Sequence, residues 1–400
     1  MSLLKKVFQC RVCRGLAALL LASVIWLPNV CLFFDQPETN YIAIGKNAPK
    51  AMQIAERYIN FWTDPQLRQV ELEKMRSRNA EWDFMGRCFF VWSLANMAIR
   101  DAELTARVLP VMDFIIDETI KLEKEHGINF FLMPYARFQP FKDQPPRSIF
   151  IDGEIALMMA LRRLVAEKEE YKALLAERIG HMLERMNRGG ALCAESYPDE
   201  CWLFCNSIAL ASIKVSDYLD GTDHSDFFKN WVQTAREKLI DSKTGVLNSS
   251  FDLAAKQICD GPEGSTIWLV SHCLQIIDPE FAKEQYWKAR NLLKTDFLGF
   301  GYAYEWPGGT GHDDVDSGPI IPILNLSAGS SGLALVGAAA FDDREYLTLL
   351  HRGLEAGAFP VKEGNGIRYC ASNAVGDAVM LYSITLGPAW QKVMGGKKND

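Results

Sequence analysis

Beyond its first 14 residues the chain has no basic cluster, and 43 Lys and Arg against 50 Asp and Glu leave a net charge of -7. That removes the electrostatic footprint a polyphosphate backbone requires, so nucleic acid is not an expected partner. Runs of alternating apolar and polar residues are also missing, which argues against a core built on sheets. Cys193, Cys201 and Cys205 have no Cys-x-x-Cys partner and no nearby His, so a thiolate zinc site is not expected. What is present, 48% apolar and 23% charged residues over 400 positions, excludes a disordered chain and a small disulfide scaffold.

Lys5, Lys6, Arg11 and Arg14 precede 20 uncharged residues, Gly15 to Phe34. At ~1.5 Å per residue this length matches a hydrocarbon core of ~30 Å, and the basic flank favours the cytoplasm, placing the body outside it. The stretch ends in bulky Leu32-Phe33-Phe34 rather than a small-x-small cleavage site, favouring an uncleaved anchor over export after cleavage. The expected division is a basic flank at 1–14, the anchor at 15–34, a linker at 35–46, the body at 47–390 and a polar tail at 391–400. A second uncharged stretch, Ser317 to Phe341, is interrupted by Pro319, Pro322 and Asn325 and reads as a buried core helix. Cys10-x-x-Cys13 falls on the cytoplasmic side of the anchor, away from the folded body.

Within the body, apolar residues recur every three or four positions. Helices are expected near 47–62, 84–100, 102–125, 149–167, 169–187, 203–220, 224–240, 264–277, 279–296, 320–340, 342–357 and 372–387. Breaks as short as Arg100-Asp101, Asp278-Pro279 and Asp342-Asp343 join them into antiparallel hairpins. The first and last segments are left to pair with each other. Hairpin openings repeat every 52 to 65 residues, a period suited to a toroid or solenoid. The expected fold is therefore all-α, an (α/α)6 toroid of six inner and six outer helices, with an open α-solenoid as the alternative.

The longer connections all precede an inner helix, so their polar groups converge on one mouth. They contain Trp82 and Asp83, Asp152 and Glu154, the segment Cys193 to Cys205, and Asp314 and Asp316. Each acid alone could be a helix cap, but repetition of the pattern over several loops points to a funnel-shaped site. Cys201 and Cys205 lie one helical turn apart, leaving a disulfide, plain burial and a role at the funnel floor all open.

Cys193-x-Glu195, then Phe204-Cys205-Asn206-Ser207, then Asp217-x-Leu219-x-Gly221-Thr222-Asp223 resemble the linalool dehydratase/isomerase family. The resemblance implies exported (α/α)6 proteins that form homo-oligomers and dehydrate or isomerise monoterpene alcohols without cofactor or metal. It places the family cysteines at Cys193 and Cys205 and the family acid at Glu195. Glu154 stands where the family has a His, Asn60 where it has an Asp, and Ser265 near its Tyr. The implied function is a cofactor-independent lyase or isomerase of a small apolar alcohol or alkene, with Glu154 and Glu195 as acid and base and Cys193 and Cys205 beside them. Asn60, Trp82, Asp83, Asp152, Tyr197, Trp202, Asp314 and Asp316 are the expected substrate-binding residues. Two other functions stay open: carbohydrate processing by paired carboxylates, and a non-catalytic, membrane-tethered binding protein.

Overall fold

The computed structural model describes residues 11–43, 45–310, 317–369 and 373–395. Six helices form the inner ring: α4 (Ala80–Arg100), α6 (Ile149–Val165), α8 (Leu203–Asp220), α10 (Gly264–Leu274), α12 (Ala328–Ala340) and α14 (Ala374–Thr385). Each packs against the next, and α14 returns to pack against α4. That closure separates the toroid from an open solenoid. The inner helices are buried around most of their circumference, as helices apolar on all sides must be.

The outer layer comprises α2 (Pro49–Thr63), α5 (Thr105–His126), α7 (Glu169–Arg188), α9 (Ser225–Lys238), α11 (Pro279–Leu293) and α13 (Arg344–Gly357). As the hairpin arithmetic required, α2 packs on the last inner helix, α14. Sequence punctuation sets several boundaries. Asn79 caps α4 by accepting the Glu81 N–H at 2.8 Å, and Asp278 caps α11 by accepting the Phe281 N–H at 2.9 Å, ahead of Pro279. The turn Asp217 to Asp223 ends α8 with Gly221 in the left-handed conformation (φ 69°). The Asp217 carboxylate there accepts the Thr222 hydroxyl at 2.6 Å and the His224 N–H at 3.0 Å.

The helix expected at 320–340 begins only at Ala328, and α3 (Pro65–Arg76) and α15 (Pro388–Gly395) are additional. Short strands replace some of the expected loops. Antiparallel sheets join β1 (Cys201–Trp202), β2 (Ser250–Phe251) and β3 (Ile258–Asp260), then β4 (Lys294–Phe297), β5 (Phe300–Tyr304), β6 (Ile320–Ile321) and β7 (Leu326–Ser327), then β8 (Pro360–Glu363) and β9 (Gly366–Tyr369). β1, β3, β7 and β9 each lead within a few residues into an inner helix, so the strands collar the end of the ring where inner helices begin.

Helix α1 (Arg11–Trp26) continues as a 3-10 turn, Leu27–Phe34, with exposed Leu16, Leu20, Ile25 and Phe33. At a mean hydropathy of 2.2 it is long and apolar enough to cross a membrane. The expected linker does not hang free. Asp35 pairs with Arg352 at 2.5 Å, Glu38 pairs with Arg344 at 3.1 Å, and Tyr41 stacks on His351 at 3.7 Å, strapping this segment to α13.

Candidate functional site

Gly153 lies so close to α8 that a Cβ there would meet the Ala209 backbone N at 3.2 Å. This close approach of α6 to α8 carries the next residue, Glu154, into the wall of the ring. Glu154 is 1% exposed, and among the described residues no nitrogen or oxygen donor reaches either of its carboxyl oxygens. Its polar company is sulfur. The Cys88 thiol of α4 reaches the carboxyl, and the thiols of Cys205 on α8 and Cys273 on α10 lie within its electrostatic reach. A thiol is a weak donor, so this cage does little to offset desolvation of a charged carboxylate. Burial first, and the charge of Glu81 further, push Glu154 well above the usual carboxylate range.

The thiols are displaced in the same direction. Burial raises Cys88 and Cys205 well above the usual thiol range, and the negative charge of Glu154 adds to it. Cys273 is pushed up to about 12 by burial. These are neutral thiols at physiological pH, without the electropositive surroundings that make a reactive thiolate.

Glu81, in the first turn of α4, stands above this cage. Tyr197 donates its hydroxyl to Glu81, accepts the Met133 N–H at 2.9 Å, and stacks on Tyr135 with centroids 4.7 Å apart. Trp82 is half-buried beside Glu81, and Trp202 is half-buried at the start of α8, its indole donating to Glu200 at 3.0 Å. Farther along the helices, His272 meets the Tyr382 hydroxyl at 2.9 Å and Gln275 at 3.0 Å and stacks on Trp390. Burial drives His272 down to about 4, so it is neutral. Phe89 and Trp92 lie edge-on to Tyr382, each at 5.6 Å.

Other expected site residues have structural partners. Glu195 accepts the backbone N–H groups of Lys142 (2.9 Å), Asp143 (2.8 Å) and Asp199 (2.6 Å), pinning two loops together. Asp152 is held by Arg147 and Arg178, and Asp83 by Arg87 and Arg76. Asn60 is exposed on a surface groove with Thr63, Asp64 and Pro65. Asp314 and Asp316 lie outside the described residues. Cys193, Cys201 and Cys205 are all free thiols, so the disulfide alternative falls.

A family model for linalool dehydratase/isomerase matches residues 153–373, more than half of the sequence. The chain belongs to the linalool dehydratase/isomerase family. Among solved structures, a GH76 alpha-mannanase of Bacteroides thetaiotaomicron aligns with a TM-score of 0.50 at 10% identity, covering 92% of this chain and all of that one. At that identity the likeness shows the helical fold alone.

In this family member the two cysteines of the motif diverge. Cys205 faces Glu154 and Ser196, whereas Cys193 packs against Trp231 of the outer helix α9 and is raised to about 12 by burial. Asn206 explains part of the conserved-looking spacing. Its side chain accepts the Ala194 N–H at 2.8 Å and donates to the Ala194 carbonyl at 3.0 Å, fixing the cysteine loop on the start of α8. The residues that sequence reasoning missed, Glu81, Cys88 and Cys273, carry one shared signal. Each is a polar or sulfur side chain on an inner helix.

Proposed function

We propose that the ring interior performs cofactor-independent acid catalysis on a small apolar alcohol or alkene. Glu154, held neutral, protonates a departing hydroxyl or an alkene carbon. In a dehydration the C–O bond breaks with its electron pair leaving on oxygen as water, and a neighbouring C–H proton passes to a carboxylate. Glu81 at the rim is the carboxylate assigned to that second role, replacing Glu195. Neutral thiols and aromatic rings are suited to cationic character because they are polarisable and do not trap it as a thiolate would. The observation that carries this reading is the pair of unpartnered Glu154 oxygens at 1% exposure. A wholly buried carboxyl with no donor stronger than a thiol is costly unless it stays protonated, which is what a general acid near neutral pH requires.

Carbohydrate processing would need two free carboxylates across the funnel. Asp83 and Asp152 are each committed to two arginines, which takes two of the acids that reading would use. We further place the body outside the cytoplasm, held at a membrane by α1, from the basic residues that precede it. The test of function uses the full chain in lipid nanodiscs with a panel of monoterpenols, monoterpenes and α-manno-oligosaccharides. Turnover of a terpenoid is expected, with Glu154→Gln lowering kcat by ~10²- to 10⁴-fold and KM little changed. Full turnover by Glu154→Gln, or activity confined to the oligosaccharides, would overturn the assignment.

A further inference from the structure

A second buried carboxyl lies where the inner helices begin, away from the thiol cage. Glu263 occupies the capping position of α10 yet does not cap it. Glu305, at the end of β5, does so from another segment. Its carbonyl accepts the Gly264 N–H at 2.7 Å, its carboxylate accepts the Ser265 N–H at 2.9 Å, and the Ser327 hydroxyl donates to its other oxygen. A cap supplied in trans satisfies the start of the helix and releases Glu263 from the task that usually explains an acid there.

The Glu263 side chain is 7% exposed and bordered by the Trp306 indole, the Ser249 hydroxyl, Glu305 and Asp260. Ser249 is fully buried beside this carboxyl, and its Oγ has no hydrogen-bond partner among the described residues. Asp260 is already engaged by the Ser250 hydroxyl at 2.5 Å. Ser249 also ties the group to the ring, because its carbonyl accepts the N–H of Leu203, the first residue of α8. The carboxyl thus sits at the seam between the starts of α8 and α10. Burial, then the charges of Glu305 and Asp260, raise Glu263 to about 8, so at neutral pH it is a donor as well as an acceptor.

We propose that Glu263, Ser249 and Trp306 form a polar subsite at the rim that takes the neutral hydroxyl group of an alcohol ligand. The subsite rests on the reading that the ring admits an alcohol, and it adds the place where that hydroxyl is recognised. Two acids beside it disfavour a carboxylate or phosphate ligand, which confines the class to neutral alcohols and polyols. Ionisation of Glu263 removes its donor, so affinity should fall as pH rises through about 8.

The experiment measures equilibrium binding of linalool, and separately of an α-linked mannobiose, to the full chain in nanodiscs by tryptophan fluorescence from pH 6.5 to 9.5. Wild type is expected to bind one of these probes ~3- to 10-fold more weakly at the alkaline end, the loss of one neutral hydrogen bond. Glu263→Gln, which keeps a donor and cannot ionise, should bind independently of pH. Glu263→Leu should bind weakly throughout, with its melting temperature reported beside it. Glu263→Gln also covers the case in which the leucine variant fails to fold. A pH-independent wild type, Glu263→Gln retaining the wild-type pH dependence, or binding of neither probe would overturn the subsite. Linalool bound in this pH-dependent way but never turned over would leave the subsite standing and refute the proposed catalysis.

Discussion

Where the inner and outer helical layers meet, buried charge is paired; inside the ring it is not. Arg178 of α7 joins Asp152 of α6 at 2.6 Å and Glu123 of α5, Arg87 joins Asp83 and Glu118 at 2.7 Å each, and Arg163 joins Asp220 and Glu167 at 2.7 Å each. The Arg178 and Arg87 bridges reach across the two layers, whereas Arg163 ties the ends of the inner helices α6 and α8 to the turn after α6. Glu154, two residues from Asp152 on the same helix, has no such partner. A fold able to supply an arginine to one acid and not the other has an energetic reason to keep the second neutral. The girdle serves stability, whereas the interior gives some up for a carboxyl that holds its proton.

The largest expected effect on stability comes from breaking the girdle. Arg178→Met should cost ~3–5 kcal/mol, since it leaves Glu123 without its arginine in a largely buried setting and Asp152 with Arg147 alone. Denaturant unfolding of the full chain checks it, and a loss below ~1 kcal/mol would mean that the layers do not depend on these pairs. Glu154→Gln should act in the opposite direction, with a pH signature. Because the folded state raises Glu154, folded protein binds more protons than unfolded protein above the ordinary carboxylate range. The contribution of Glu154 to stability is therefore fully present at pH 4 and falls as pH rises towards the folded-state value. The variant should match wild type near pH 4 and become the more stable of the two by pH 8. A gap that closes with rising pH would contradict the comparison.

Smaller effects are expected at the cysteines. Cys193→Ser and Cys205→Ser should each cost about 1–3 kcal/mol for a buried hydroxyl, with no response to reductant because both are free thiols. Turnover should fall in Cys205→Ser alone, since Cys193 lies against Trp231 and outside the cage. Thermal melts with and without reductant, read beside turnover, separate the two sites.

Much of the architecture was legible because helical spacing, caps such as Asn79 and Asp278, and very short hairpin turns agree with one another. Closure of the ring followed from one unpaired helix at each end of the body. The collar strands were not legible, because two to five residues are too few to establish an alternating pattern. The site was only half legible, and helix geometry explains why. In Asp152-x-Glu154, as in Glu81-x-Asp83, two acids lie two residues apart and so project from different sides of a helix. One of each pair meets the arginines between the layers, and the other is turned towards the thiol cage or its rim. For Asp83 the i,i+4 partner Arg87 is visible in the sequence, but the arginines arriving from α3, α7 and the loop before α6 are not, and they complete the division between the acids. The loop-pinning contacts of Glu195 were not legible for a related reason, since its backbone partners at 142, 143 and 199 leave no side-chain signature.

The central claim is that Glu154 carries a proton at neutral pH. Infrared difference spectroscopy of wild type against Glu154→Gln at pH 7 tests it without any assumption about substrate. The account predicts a carbonyl stretch of a protonated carboxylic acid that is present in wild type and absent from the variant. Loss of an ionised carboxylate band in its place would show Glu154 charged in the folded protein and would contradict the account.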